Sequence, residues 1–247
     1  MKKKKQRNRP KKSFLYGKRS VYERLKANPS SIHQIFITDK FSDKQILHLI
    51  EENNVSVKLV SEKEIQRIKR ADRVQSVVAR VDNFVYTELD DVLDAGYRLF
   101  FLEGITDPHN LGAIIRTLAC FGNFAVVIGR HNSCLVNDTV MHVASGGENY
   151  VPVCAVNSLP MAILKARESG WSVYGAVIED AKDISDIEFD KRPAIVLGSE
   201  GKGLSSSVKK AVDHRIKIPM KGASLSFNVS VACGIIAYAV VIVNKFS

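Results

Sequence analysis

From Arg98 onward the chain repeats short, uninterrupted apolar runs: RLFFLEG, FAVVIG, VPVCAV, WSVYGAVI, PAIVLG and RIKIPM. Helical patterns lie between most of them. A strand that is apolar at successive positions has both faces covered, so this pattern predicts an α/β domain with a mainly parallel sheet. Ligands in such sheets bind at the carboxyl ends of the strands. A smaller alternation precedes it. YGKRSVYERLKANP reads as an amphipathic helix ended by Asn28-Pro29, HQIFIT as a strand, and SDKQILHLIEENN as a helix begun by Ser42 or Asp43. VSVKLV, SEKEIQRIKR and SVVARV complete a second, smaller α/β unit that ends near Val81. The stretch DNFVYTELDDVLDAGYR is acidic and weakly patterned and reads as a linker. The expected organisation is a tail over 1–12, a small domain over 13–81, a linker over 82–97 and a larger domain over 98–247. The longest near-uniform apolar run, Ala232–Val243, is too short to span a bilayer and predicts a buried helix.

Charge changes this picture at one end only. The net charge is +10, and residues 1–12 alone hold eight Lys or Arg and no acid. Residues 13–80 hold 13 basic and 8 acidic side chains, whereas residues 81–247 hold 15 and 18. A basic tail joined to a basic small domain suits a polyanion, because each neutralised phosphate releases counterions. No apolar stretch follows the tail, so it is no secretory signal. Cys120, Cys134, Cys154 and Cys233 form no Cys-x-x-Cys pair and match no zinc spacing. They read as four buried thiols of a cytoplasmic chain, with no metal and no membrane partner expected.

Three stretches of the larger domain carry candidate chemistry. In TDPHNLGAIIRTLACFG, Asp107-Pro108 makes a turn and Asn110 is a candidate helix cap. Leu111, Ile114, Ile115 and Leu118 form the core stripe. Arg116 lies off it, with the small residues Gly112, Ala113, Ala119 and Cys120 on its own side. Such neighbours let a ligand or another backbone approach the guanidinium. In AIVLGSEGKGLS, a buried strand runs into a glycine-rich turn and a helix capped by Ser205. Its glycines match neither the Gly-x-Gly-x-x-Gly fingerprint nor a P-loop, yet they permit close backbone approach to a ligand. Glu200 follows the strand end. In IPMKGASLSFNVSVACGIIAYAV, Gly222, Ser224, Ser226 and Asn228 crowd before an apolar helix. Helix capping accounts for Asn228 alone. The surplus of donors and acceptors suits a polar substrate or a subunit interface.

In this order, the three stretches resemble the three motifs of the SpoU/TrmH branch of the SPOUT methyltransferases. The matching residues are Asn110-Leu111-Gly112-Ala113-Ile114-Ile115-Arg116, then Leu197-Gly198-Ser199-Glu200-Gly201-Lys202-Gly203-Leu204. Ile218-Pro219-Met220 with Ser226-Phe227-Asn228-Val229-Ser230-Val231-Ala232 complete them. LYGKRSVYERL and RVQSVVARV are similar to the ribosomal-protein-like RNA-binding domain of the ribosomal RNA guanosine 2′-O-methyltransferases in this branch. Two departures stand out: Phe227 replaces the usual Leu, and Val74-Gln75-Ser76 replaces the usual His-Gln-Gly.

The resemblance implies a deep trefoil knot in the larger domain, an obligate homodimer, S-adenosylmethionine as cofactor and the ribose of an RNA as substrate. A guanosine of 23S ribosomal RNA is the expected target, with transfer RNA the alternative. It implies that Gly198, Ile218 and Phe227, with Leu197, Met220 and Ala176, line the cofactor pocket. It implies that Asn110, Arg116, Glu200, Ser226 and Asn228 form the catalytic group. Arg116 would stabilise a developing ribose alkoxide; a guanidinium almost never gives up its proton, which speaks against a role as base. Glu200 would orient Arg116 or share in moving the proton. A non-catalytic RNA-binding protein of ribosome assembly is the rival class, and it has no need of Arg116, Glu200 and Asn228 together.

Overall fold

Continuous apolar strands fold into a sheet that is covered on both sides, and this sheet dominates the computed structural model of the protein. The structure describes residues 13–69, 74–199, 201–222 and 225–243. The basic tail, Glu200 and Ser224 lie outside the described residues. The chain divides into two units, Met1–Val85 and Tyr86–Ser247.

In the first unit the order is β1 (Ser13–Tyr16), α1 (Lys18–Ala27), β2 (Ile32–Ile37), α2 (Lys44–Glu52), β3 (Val57–Leu59), α3 (Glu62–Ile68) and β4 (Val77–Val81). The sheet order is β1-β4-β2-β3. β4 pairs antiparallel with β1 and β2, and β3 joins β2 in parallel. Tyr16, Val60, Ile65, Val74 and Val78 form one buried cluster. The edge strand β3 is exposed at all three positions. α2 begins at Asp43, whose carboxylate accepts the Ile46 N–H at 3.3 Å. α3 carries a capping box between Ser61 and Glu64. β1 was not expected from the sequence: four residues beside a basic tail show no alternation. At the departure Val74-Gln75-Ser76, both Gln75 (φ 55°) and Ser76 (φ 60°) adopt left-handed backbone. Ser76 thus holds a conformation that the usual Gly would take without steric cost. The Gln75 side chain accepts the Lys18 N–H at 2.9 Å and so supplies the cap that Gly17 cannot give α1.

The second unit starts with α4 (Leu89–Asp94) and continues through β5 (Arg98–Leu102), α5 (Pro108–Phe121), β6 (Phe124–Gly129), α6 (Asp138–Ala144) and β7 (Val153–Val156). It then runs through α7 (Leu159–Glu168), β8 (Ser172–Ala176), β9 (Lys182–Asp183), β10 (Pro193–Leu197), α8 (Ser206–Ala211), β11 (His214–Lys217) and α9 (Val229–Val243). Among the described residues the seven strands are ordered β7-β6-β5-β10-β8-β11-β9, and every pairing is parallel. The late strands are inserted rather than appended: β10 enters between β5 and β8, and β11 between β8 and β9. β10 is buried at all five positions, as its PAIVL sequence requires.

Two expectations need correction here. The linker assigned to 82–97 contains α4, and Val92 and Leu93 are buried in the second unit's core beside Leu99 and Val173. The three apolar residues of α4, Leu89, Val92 and Leu93, fall within six positions, too short a run to register as a period. The strand read in RIKIPM stops at Lys217, leaving Ile218-Pro219-Met220 as irregular chain. Proline lacks the N–H that a ladder would use there.

Candidate functional site

The carboxyl ends of β10, β8 and β11 lie side by side, since Val196 and Arg215 both pair with Gly175 of β8. Beyond them the chain leaves the sheet as three turns, and α9 closes the far side. Together they enclose a cavity of about 550 Å³. Leu197 and Gly198 follow β10, Ala176 ends β8, and Ile218 and Met220 follow β11. With Phe227 before α9, all six expected pocket residues line this one cavity. Val229, Ala232 and Ile236 give the α9 wall. The lining also includes both signs of charge, with Glu179 and Asp180 against Lys202, Lys209 and Arg215. Met220 and Phe227 are each 41% exposed, and Ile178 is 63% exposed. Large apolar side chains left open around a concave site mark a place where a ligand completes the packing.

The glycine-rich turn owes its form to its own backbone. A Cβ on Gly198 would lie 2.4 Å from the Gly203 carbonyl carbon and 2.5 Å from its oxygen. The Gly203 N–H donates to the Ser199 carbonyl at 3.0 Å, which folds the turn back over Gly198. The close approach expected between a glycine and a ligand is therefore, at Gly198, an approach between two strands of one turn.

Asn110 and Asn228 meet directly. α5 is capped by Asp107, whose carboxylate accepts the His109 N–H at 2.9 Å, and Pro108 takes the first helical position. Asn110 is thereby displaced from the expected cap and stands inside the first turn. Proline at that position needs no N–H, which moves the cap one residue before it. The Asn110 Oδ1 instead accepts from Asn228 Nδ2 at 3.0 Å. Asn228 Oδ1 accepts from the Ser230 N–H at 2.9 Å and from its hydroxyl at 2.6 Å, so Asn228 also caps α9 as expected. Its amide is used at both ends, and it ties the start of α5 to the start of α9. Ser226 is exposed and lines the cavity.

Arg116 stands apart. Leu111, Ile114, Ile115 and Leu118 are fully buried, and Arg116 is exposed on the other side of α5. It lies six residues beyond Asn110, about 9 Å along the helix axis, and is not among the cavity-lining residues. Its Nη1 donates to the Ser145 hydroxyl at 3.5 Å. Ser145 ends α6 in left-handed backbone (φ 53°). The small residues around Arg116 are filled by protein: a Cβ on Gly112 would lie 2.7 Å from Val143 Cβ, and one on Gly147 would lie 3.0 Å from Arg116 Cα. Of the two partners that small neighbours allow, the structure shows another backbone.

Sequence reasoning missed the wall from Val177 to Asp180 and the basic residues Lys209 and Arg215. Their position beyond or beside β8 was the available signal, because β8 neighbours the strand that carries the glycine turn. The reading of four buried cysteines holds for Cys154 and Cys233. Cys134 is half-buried and Cys120 is exposed, one helical turn beyond Arg116 on the side of α5 away from the core. Burial pushes the Cys154 thiol up to about 12 and raises the Cys233 thiol as well. Among the described residues no group of His, Cys, Asp or Glu is arranged to hold a metal ion, and no helix is long and apolar enough to cross a membrane.

Comparison with known proteins accounts for both units. Residues 98–238 match the SpoU rRNA Methylase family, and residues 14–87 match the RNA 2′-O ribose methyltransferase substrate-binding family. A 23S rRNA (guanosine-2′-O-)-methyltransferase of Neisseria meningitidis serogroup B is 32% identical over 229 residues, spanning 90% of this chain and 92% of the relative. A Bacillus subtilis protein placed in the TrmH family of tRNA/rRNA methyltransferases is 30% identical over 236 residues, spanning 92% and 94%. Among solved structures, the SpoU methyltransferase AviRb of Streptomyces viridochromogenes, in complex with the cofactor AdoMet, aligns with a TM-score of 0.81 at 20% identity, covering 96% of this chain and 92% of that one. At that identity the likeness is one of fold.

Proposed function

The chain belongs to the SpoU rRNA methylase family, and from that premise we propose that it methylates the 2′-hydroxyl of an RNA ribose, using S-adenosylmethionine in the cavity beyond β10, β8 and β11. A guanosine of 23S ribosomal RNA is the target that the named relative supports, and the cytoplasm is the proposed location. The observation that carries the reading is the convergence of Leu197, Gly198, Ile218, Met220, Phe227 and Ala176 on one cavity, next to the Asn110–Asn228 bond.

The cavity fits the cofactor in chemistry. Leu197 and Ile218, with Val229 and Ile236 of the α9 wall, offer an apolar surface for a purine, and Glu179 and Asp180 offer acceptors for ribose hydroxyls or an ammonium group. Lys202, Lys209 and Arg215 suit a carboxylate. Bound there, S-adenosylmethionine supplies an activated methyl carbon on a sulfonium. The difficulty then lies with the ribose hydroxyl, a poor nucleophile that must lose its proton as the new O–C bond forms and the methyl–sulfur bond breaks; Glu200 would share in taking that proton. Arg116 stays protonated and stabilises the developing alkoxide and the adjacent phosphate. Ser226 and Asn228 position hydroxyl groups at the cavity mouth, and Asn110 holds the Asn228 amide in its orientation. Glu200, outside the described residues, takes the role of orienting Arg116. The basic first unit and tail hold the RNA. There Arg19 and Lys26 stack on Tyr22, 5.4 and 5.6 Å from its ring centre, on the exposed side of α1.

The protein acts as a homodimer in this reading, because the cavity and Arg116 are separated within one chain. Val231 and Tyr238, seven residues apart on α9, leave an apolar face exposed at 49% and 57%. In this proposal that face is buried between two copies, and Arg116 of the partner subunit serves the cavity. A trefoil knot is part of the same proposal, supported by the insertion of β10 and β11 between strands laid down earlier.

The test is alkaline hydrolysis of RNA after incubation with labelled cofactor. A 2′-O-methyl blocks cleavage at its own 3′ phosphate, so label in resistant dinucleotides is expected. Absence of label with RNA still bound would leave a binding protein and overturn the enzymatic reading.

A further inference from the structure

Glu103 lies between the two halves of the site and belongs to none of the three motifs. The segment Glu103-Gly104 leaves β5 and leads to Asp107, the cap of α5. On its other side it touches both feet of the glycine-rich turn. At the upstream foot the Glu103 N–H donates to the Leu197 carbonyl at 2.8 Å. Gly104, in left-handed backbone at φ 69°, sits so near that an added Cβ would be 3.3 Å from Ser199 Cβ. At the downstream foot the Glu103 carboxylate accepts the Ser205 N–H at 2.8 Å. One residue therefore spans a turn whose two ends are otherwise joined by the short Gly203–Ser199 bond.

We propose that Glu103 is a positioning residue for the cofactor: its carboxylate pins the downstream foot of the 198–205 turn and so sets the shape of the cavity. The proposal rests on the reading of that cavity as the S-adenosylmethionine site. A carboxylate suits the task because a hydrogen bond to a charged acceptor is stronger than a neutral one. The same segment enters α5, so the turn that holds the cofactor and the helix that bears Asn110 take their spacing from one short piece of chain.

Three variants of the full-length protein test this. Glu103→Gln keeps an acceptor at the same reach, Glu103→Asp keeps the charge but falls short, and Glu103→Ala removes both. Two readouts are followed. The first is tryptic cleavage after Lys202, which is exposed in the turn, measured without cofactor. The second is S-adenosylmethionine affinity by calorimetry, with KM and kcat for methyl transfer. Loss of one hydrogen bond to a charged group predicts about tenfold faster cleavage and about tenfold weaker cofactor binding in Glu103→Ala and Glu103→Asp. KM for the cofactor should rise by a similar factor, with kcat within about threefold, and Glu103→Gln should stay within about threefold of wild type in all readouts. If Glu103→Ala does not fold, the Gln and Asp variants decide the question. Wild-type cleavage and affinity in Glu103→Asp, or a Gln variant as impaired as the Asp variant, would overturn the proposal. Faster cleavage with unchanged affinity would also overturn it, since the turn would then be pinned without effect on the cofactor. If the wild type itself binds no S-adenosylmethionine, the functional reading fails, while the cleavage rates still show whether Glu103 pins the turn.

Discussion

The cavity and the Arg116 face of α5 are built on opposite terms. The cavity takes its floor from three neighbouring parallel strands and its far wall from α9, so one chain provides every side and fixes it by backbone packing. Arg116 has a buried helix beneath it, Gly147 against its Cα and the Ser145 hydroxyl at 3.5 Å from its guanidinium, and its side chain is exposed. The difference teaches that binding and chemistry are separable here. In the proposed function the binding half is preorganised before any partner arrives, and the chemical half waits for RNA and for a second copy of the chain.

The largest effect that separates the two halves is expected from Arg116→Ala. Methyl transfer should fall about a thousandfold, the size seen when a charge-stabilising donor is removed, while calorimetric affinity for S-adenosylmethionine stays near wild type. A matching loss of affinity would erase the distinction. Gly198→Ala should do the reverse. Its Cβ would meet the Gly203 backbone at 2.4 Å, so the turn must open. Cofactor affinity should fall about a hundredfold, with a lower melting temperature, at a cost of about 3 kcal/mol. Mixing these two impaired variants, at a cofactor concentration too low to saturate Gly198→Ala, sharpens the comparison. If Arg116 of the partner subunit serves each cavity, mixed dimers contain one competent site and activity returns; if both halves act within one chain, it does not.

Smaller effects probe the joint between the halves. Asn110→Ala should destabilise by about 1 kcal/mol and Asn228→Ala by more, because the latter also loses the α9 cap. A double-mutant cycle should return a coupling of about 1 kcal/mol, and additivity would mean that the Asn110–Asn228 bond ties nothing together. The smallest effect concerns the two buried thiols, Cys154 in β7 and Cys233 in the α9 wall of the cavity. Thiolate is the reactive form of cysteine, and burial raises both the Cys154 and Cys233 thiols far above neutral pH. Neither should react with a thiol reagent at pH 8 until the protein unfolds. Prompt modification of Cys233 would show that α9 moves and that the cavity is less preformed than its walls imply.

The strands of the second unit were legible because burial on both faces leaves no polar position to obscure them. β5, β6, β7, β8 and β10 all lie inside their apolar runs. β1, α4 and the two-residue β9 were not legible, since each is too short for a period to appear. In the site, the turn at Gly198 and the cap at Asn228 could be read from local chemistry. The cap of α5 was misread because Asp107 and Asn110 are both good caps, and only the helical position of Pro108 separates them. Glu103 gave no local signal at all, because its partner Ser205 stands 102 residues away.

The sequence by itself determined the two α/β units, the parallel character of the larger sheet, the basic amino-terminal end and the three motifs that identify the family. These are local or compositional properties, set by period, charge and residue order. Tertiary structure alone decided that three turns from distant segments share one cavity, that Asn228 reaches Asn110, and that Arg116 stands outside. Strand order governs such proximities. Inserting β10 beside β5 and β8 brings together residues whose separation along the chain carries no trace of their contact.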